Sequence, residues 1–337
     1  MQKYLKGIIL CLVISIVSWL LGKQFPIVGG AVIAIIMGMI ITLFYHNEET
    51  NTGINFTSKY ILQLAVVLLG FGMNLGLIVH TGVESLPIIL CTISTSLIIA
   101  AILAKAMHIP TRIATLVGVG SSICGGSAIA ATAPVIDADD NEVAQAISII
   151  FFFNVLAALF FPMLGKFIGM STTSGHAFGL FAGTAVNDTS SVTATASTWD
   201  SMWHLGTSTL DHAVTVKLTR TLAIIPITLV LALMQMKKNK NKGQFSLKQA
   251  FPTFILYFIL AAIISTIALH FGVGSSLFAF LKELSKFFIV MAMAAIGLKS
   301  NIIQLIKTGG KPILLGACCW AGITVVSLTL QHLLAIW

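Results

Sequence analysis

Long apolar runs, each close to the length needed to cross a bilayer, alternate with short polar breaks along almost the whole chain. A membrane-spanning helix needs about 20 apolar residues. On that template the chain divides into about eleven segments, near 7–22, 26–45, 58–79, 86–107, 112–136, 143–168, 176–198, 213–236, 251–270, 275–303 and 311–335. The linkers leave no room for a soluble domain, so residues 1–337 read as one integral membrane domain of all-α, polytopic architecture.

Two of these segments are least apolar where a membrane helix should be most so. One carries Gly120-Ser121-Ser122-Ile123-Cys124-Gly125-Gly126-Ser127, the other Gly183-Thr184-Ala185-Val186-Asn187-Asp188-Thr189-Ser190-Ser191. Hydrocarbon offers no water to loosened backbone, so such stretches survive only inside protein or beside an aqueous cavity. A pair of broken helices is the sequence signature of a secondary transporter's binding site.

Composition agrees: 57% of residues are hydrophobic and 9% charged, against about 25% charged in soluble domains. The formal charge of +8 does not indicate nucleic acid, because the basic residues gather at span ends and not in an aromatic-laced stripe. With a cytoplasmic N-terminus, eleven crossings put Lys3, Lys6, Lys59, Lys105, Arg112, Lys166, the basic run at 237–248, Lys299, Lys307 and Lys311 inside. The same count leaves Lys23 and the acidic loop from Asp137 to Glu142 outside. Re-entrant hairpins in place of full spans would change that parity. Lys3 and Lys6 before an apolar run also resemble a signal peptide, but no small-residue cleavage site follows, so an uncleaved first helix is expected. The five cysteines lie in apolar stretches without metal-type spacing.

A faint internal echo aligns Gly70 with Gly297 and Asn74 with Asn301, each copy followed by a Thr-Gly turn (Thr81-Gly82, Thr308-Gly309) and a proline, Pro87 or Pro312. The two copies begin on opposite sides, as inverted repeats with broken, crossing helices would.

Three clusters carry candidate chemistry. In the first broken segment, Ser121, Ser122 and Ser127 supply hydroxyls beside Cys124, and a half-helix starting after Gly125-Gly126 would aim its positive end at an anion. Close packing through small residues explains those glycines too, though not the serines. In the second, Asp188 stands as the acidic residue deep in an apolar span, with Asn187 beside it. Thr184, Asp188, Ser191 and Thr195 fall at i, i+4, i+7 and i+11, one helix face that could line a polar passage. An intramembrane carboxylate is a functional hypothesis by default, as a Na⁺ ligand or proton carrier, with a salt bridge as the structural alternative. In the third, Lys217 and Arg220 share a face, and the guanidinium fork suits an oxyanion. Snorkelling to the headgroups, or pairing with Asp188, are the alternatives. Asn154 reads as a polar contact, and the histidines as interfacial. No hydrolase motif, P-loop or metal-binding spacing stands out, so neither an enzyme nor a resident cofactor is expected.

At the Gly120–Ala131 motif, the Gly183–Thr193 segment and Lys217-Leu218-Thr219-Arg220, the chain resembles the YeiH-type family of bacterial inner-membrane proteins named as sulfate exporters. The resemblance runs over nearly the whole length, including Phe251-Pro252. Some relatives resemble it with His-Glu in place of Asn187-Asp188. It implies a distant likeness to sodium/proton antiporters and bile-acid-type symporters, built from inverted repeats. The expectation is a multi-pass inner-membrane transporter of a small anion, coupled to H⁺ or Na⁺, with a homodimer left open. Substrate contacts fall to Ser121, Ser122, Cys124, Gly125, Gly126, Ser127, Asn187, Lys217 and Arg220. Ion coupling falls to Thr184, Asp188 and Ser191. A cation/proton antiporter using Asp188, or a non-transporting scaffold or sensor, are the alternatives.

Overall fold

The computed structural model describes residues 2–25, 30–44, 48–71, 75–238, 253–271, 275–299 and 310–337. Every regular element among them is helical. In order these are α1 (Gln2–Gln24), α2 (Gly30–Phe44), α3 (Glu48–Phe56) joined by a π-turn (Thr57–Ile61) to α4 (Leu62–Gly70), α5 (Leu75–Ala106), α6 (Thr111–Ser122), α7 (Gly126–Thr132), α8 (Asp140–Phe167), α9 (His176–Ala185), α10 (Thr189–Trp203), α11 (Ser208–Thr221), α12 (Ile224–Lys238), α13 (Thr253–His270), α14 (Ser275–Lys299) and α15 (Gly310–Leu333). Six described helices are long and apolar enough to cross a membrane, and shorter apolar ones accompany them. The chain is a multi-pass, all-α membrane protein.

The helices form two groups. The pairs α1–α2, α1–α3, α2–α14, α4–α13 and α4–α14 build one. The pairs α5–α6, α5–α15, α6–α8, α9–α11 and α8–α10 build the other. The groups meet where α10 lies against α14 and α2. Large residues such as Leu86, Leu90, Ile98, Leu256, Leu260 and Ile264 stay exposed on the periphery, as a lipid-facing surface requires.

The two glycine-rich segments do not cross; each turns back. Phe178 of α9 stacks on Trp199 of α10 with ring centroids 4.1 Å apart. Asp200, near the end of α10, accepts hydrogen bonds from the amides of Thr209 and Leu210 (both 2.9 Å), and a Cβ on Gly175, just before α9, would collide with Thr209. Both ends of the α9–α10 hairpin therefore lie beside the start of α11. The other hairpin, α6–α7, is closed the same way. Gly120 packs on Ile129, and Arg112 at the start of α6 lies 3.9 Å from Glu142 in the first turn of α8. A capping box of Asp139 with Glu142 begins α8 there.

Lys311 donates to the carbonyl of Met107, so the ends of α5 and α6 share a face with the start of α15. The ends of α9 and α10 lie on the opposite face: His176 bonds Glu84 near the start of α5. The hairpins thus enter from opposite faces. Their turning back corrects the reading of 112–136 and 176–198 as full spans. It also moves Lys166, which lies over the Trp203 ring, to the face of the α9–α10 ends, and the Asp137–Glu142 loop to that of Arg112.

The expected turn at Thr81-Gly82 is likewise corrected. Both residues are buried inside the 32-residue helix α5, which also absorbs Pro87. Signals that stop a helix in water are overridden where lipid offers the freed backbone no partner. Asn74, Asn301, Thr308-Gly309, Phe251-Pro252, Lys307 and the 239–250 stretch of the basic run lie outside the described residues. Of the internal echo, Gly70 and Gly297 remain: each sits at a close crossing, against Phe258 of α13 and Ile35 of α2 respectively.

The hairpin topology is open to labelling. Single cysteines replacing Ser174 and His204 are expected to react with an impermeant maleimide from one face, and those replacing His108 and Ala138 from the other. Reaction of either pair from both faces would restore the full-span reading.

Candidate functional site

Both hairpins break where the local sequence cannot continue a helix. Ile123 leaves the helical region, and Gly125 takes φ +68°, a conformation open to glycine at no steric cost. A Cβ there would also stand 3.2 Å from Cβ of Asp188, so the two tips touch at Gly125 and Asp188. In the second hairpin Val186 is extended, and Asp188 is the extended N-cap of α10. Its carboxylate accepts from the Ser190 amide (3.1 Å) and from the Ser190 hydroxyl. The amides of Asn187 and Asp188, released from α9, both donate to Oδ1 of buried Asn154 on α8, at 3.1 and 3.3 Å.

Helices α6 and α9 point their C-termini at each other inside the protein. The last carbonyls of a helix have no intrahelical partner and carry about half a negative charge between them. Lys217 and Arg220 of α11, both fully buried, supply the partners. Arg220 donates through Nε to the carbonyl of Ser122 (2.7 Å), through one terminal nitrogen to that of Ser121 (2.8 Å), and through the other to those of Thr184 (2.6 Å) and Val186 (3.5 Å). Lys217 Nζ donates to the carbonyls of Ile123 (2.6 Å) and Val186 (3.0 Å). Each cation bridges both hairpins. Neither pairs with Asp188, which takes part in no ion pair among the described residues. Snorkelling is excluded for both, and the expected free fork for an oxyanion is already occupied by backbone.

The other sequence candidates separate. Thr184 bonds Leu180 and, at 2.7 Å, Ser327 of α15; it belongs to α9, so it shares no helix face with Asp188, Ser191 and Thr195. Ser122 and Ser191 are buried, with the Ser122 hydroxyl turned back to Val119. Cys124 is buried beside the tips. Gly126 is half-buried with open space about it, Ser127 is exposed, and Asp188 is half-buried. Ser121 Oγ and both side-chain polar atoms of Asn187 are buried without a partner. A buried amide left unpaired on both atoms is a heavy penalty unless something else fills the role.

Sequence reasoning missed Asn154 as the clamp on the second tip, and Asp200 as the cap of α11. Asn154 read as a polar contact with no partner named, and Asp200, just beyond the 176–198 segment, carried no signal of its own.

A family model described as Conserved hypothetical protein 698 matches residues 6–316. The chain belongs to that family, the YeiH type. Curated members are named UPF0324 membrane proteins. One from Streptococcus agalactiae serotype V is 60% identical over 337 residues, covering 100% of this chain and 99% of its own. One from Streptococcus mutans is 60% identical over 339 residues, covering 99% and 98%, and one from Fusobacterium nucleatum is 58% identical over 349 residues, covering all of both. In this member of the family the two tips are joined by α11 and clamped by α8.

Replacing Arg220 with Met should strand several buried carbonyls, at roughly 1–3 kcal/mol for each unpaired group. The melting temperature of purified protein in detergent is expected to fall sharply, with Arg220→Lys recovering only part because an ammonium lacks the fork. Asn154→Leu should cost about 1–3 kcal/mol by the same reasoning. Unchanged melting of Arg220→Met would refute the bridging role.

Proposed function

We propose that the chain is a secondary transporter of a small anion, with its solute site at the junction of the two hairpin tips. The observation that carries this is the Asn187 side chain, wholly buried with both polar atoms unpartnered, where non-helical backbone from opposite faces meets. Irregular backbone at membrane depth is characteristic of transporter sites. Charge favours an anion. The C-termini of α6 and α9 oppose the N-termini of α7 and α10, so helix-end charges largely cancel. That leaves buried Lys217 and Arg220 against the carboxylate of Asp188.

In this reading Asn187, Gly126 and Ser127 contact the solute, with Ser121, Cys124 and Gly125 shaping the tip. Lys217 and Arg220 supply positive potential while holding the backbone, and Ser122 contributes its carbonyl to that hold. Asp188 carries the coupling H⁺ or Na⁺, since a carboxylate suits a cation, and Ser191 and Thr184 contribute through the helices on either side of the break. The resemblance to proteins named as sulfate exporters makes inorganic sulfate, sulfonates and carboxylates the first candidates. The positive-inside rule puts the face of Lys6, Lys105, Arg112 and Lys311 in the cytoplasm, with the chain in the bacterial inner membrane.

A cation/proton antiporter is the second reading, favoured by Asp188 being half-exposed and free of an ion pair. Proteoliposomes loaded with labelled sulfate, sulfonates or carboxylates, under imposed Na⁺ or proton gradients, separate the two. Anion flux that depends on one gradient is expected. Asp188→Asn should remove the gradient dependence, and Asn187→Leu should raise the half-saturating concentration at least about tenfold. Na⁺ flux indifferent to every anion would favour the antiporter. No flux of any solute under either gradient would leave a scaffold or sensor.

A further inference from the structure

A cleft of about 440 Å³ opens on the face where α9 and α10 end, well away from the hairpin tips. Its walls are Trp19 and Lys23 of α1, Ser197 and Ser201 of α10, and Glu283 and Lys286 of α14, with Asp200 and His204 at the rim. That volume lies within the range of small-molecule sites. Most of its charges are already committed. Asp200 spends both carboxylate oxygens on the amides of Thr209 and Leu210. Glu283 accepts from Lys286 at 2.7 Å. Lys23 alone among the lining cations has no carboxylate partner among the described residues; its ammonium lies 5.6 Å from the centre of the Trp19 ring. With Glu283 paired to Lys286 and Asp200 held by backbone amides, Lys23 is the lining charge with no hydrogen-bonded or ionic partner among the described residues, and it lies next to an aromatic face and the Ser197 hydroxyl.

We infer that this cleft is a second, peripheral binding site for a small singly charged organic anion, a sulfonate or carboxylate with a short apolar body. Lys23 takes the charge, Ser197 donates to a remaining oxygen, Ser201, whose hydroxyl donates to the Ser197 carbonyl (2.8 Å), lines the floor beside it, and the apolar body lies on Trp19 and Val290. This reading stands on the cleft's own lining. Its place on a transport route rests on the transporter proposal, and the geometry suits it. Helices α10 and α14 pack together, and the step from Ser201 to Asp188 matches that from Lys286 to Lys299, about 20 Å along each helix at 1.5 Å per residue. The cleft and the hairpin tips thus lie at two levels of one seam. Between them, Thr193, Ala194, Ala196, Met291, Met293 and Ala294 are buried and close it.

The test is calorimetric titration of the purified full-length chain in detergent with propanesulfonate, followed in parallel by tryptophan fluorescence. Saturable binding is expected, with a fluorescence change that Trp19→Phe removes. Lys23→Gln, at an exposed position where folding is not at stake, should weaken binding about tenfold. Ser201→Leu should block it by filling the cleft. No saturable binding, or binding equally tight in Lys23→Gln and Ser201→Leu, overturns the inference. Binding lost in Asp188→Asn but kept in Lys23→Gln also overturns it, since the ligand then sits at the hairpin tips. Displacement of the propanesulfonate signal by phosphatidylglycerol would make a lipid headgroup the occupant and overturn the solute reading. Cleft binding that persists while proteoliposomes move nothing would refute the transporter proposal and leave the cleft site standing.

Discussion

Two helix ends of like charge face each other in the middle of this protein, and two buried cations hold them there. The C-termini of α6 and α9 each present carbonyls that no helix can satisfy and no lipid can hydrate. Arg220 reaches both, and Lys217 reaches both a few ångströms away. Leaving one such group buried and unpaired costs about 1–3 kcal/mol, and here several are at stake. Without these two cations the hairpin tips could not meet, and the fold would lose the place where irregular backbone sits at membrane depth.

That arrangement fixes the neighbours. With Arg220 and Lys217 spent on carbonyls, Asp188 is left to cap α10 and takes no ionic partner among the described residues. Asn154 fixes the second tip through two backbone amides. Gly125 then allows the first tip to close against Asp188, where any side chain would meet a strained backbone and a near neighbour. What stays unsatisfied is the Asn187 amide and the Ser121 hydroxyl. Polarity left unpaired at this junction, on both atoms of one buried amide beside a buried hydroxyl, is what turns a structural knot into a candidate site.

Hairpins from opposite faces also change how the surface charges distribute. The basic ends of α5, α6 and α15 share a face with the acidic loop before α8, while Lys166, Lys282 and Lys286 gather on the other. On that second face, Lys282 reaches from α14 to Asp211 of α11 at 2.8 Å, tying the two helix groups together beside the cleft. The groups are thus joined by this ion pair at the rim and by buried residues along the α10–α14 seam.

Much of this was legible in the chain itself. Hydrophobic periodicity alone gave an all-α membrane protein, because a run of 20 apolar residues has few other fates. Glycine and hydroxyl density marked both breaks, since no continuous lipid-facing helix tolerates them, and the half-helix after Gly125 begins where the sequence indicated. What the sequence left open was direction. A broken segment reads alike whether its second half continues across the membrane or returns, because helix propensity is blind to which face a chain leaves by. That was decided by contacts distant in sequence: Phe178 on Trp199, Asp200 on Thr209, Arg112 beside Glu142. The role of Lys217 and Arg220 was equally hidden, since a buried cation looks the same on paper whether it awaits an anion or holds carbonyls about 95 residues away in the chain. Local pattern determines which residues cannot face lipid; only the assembled fold determines what they face instead.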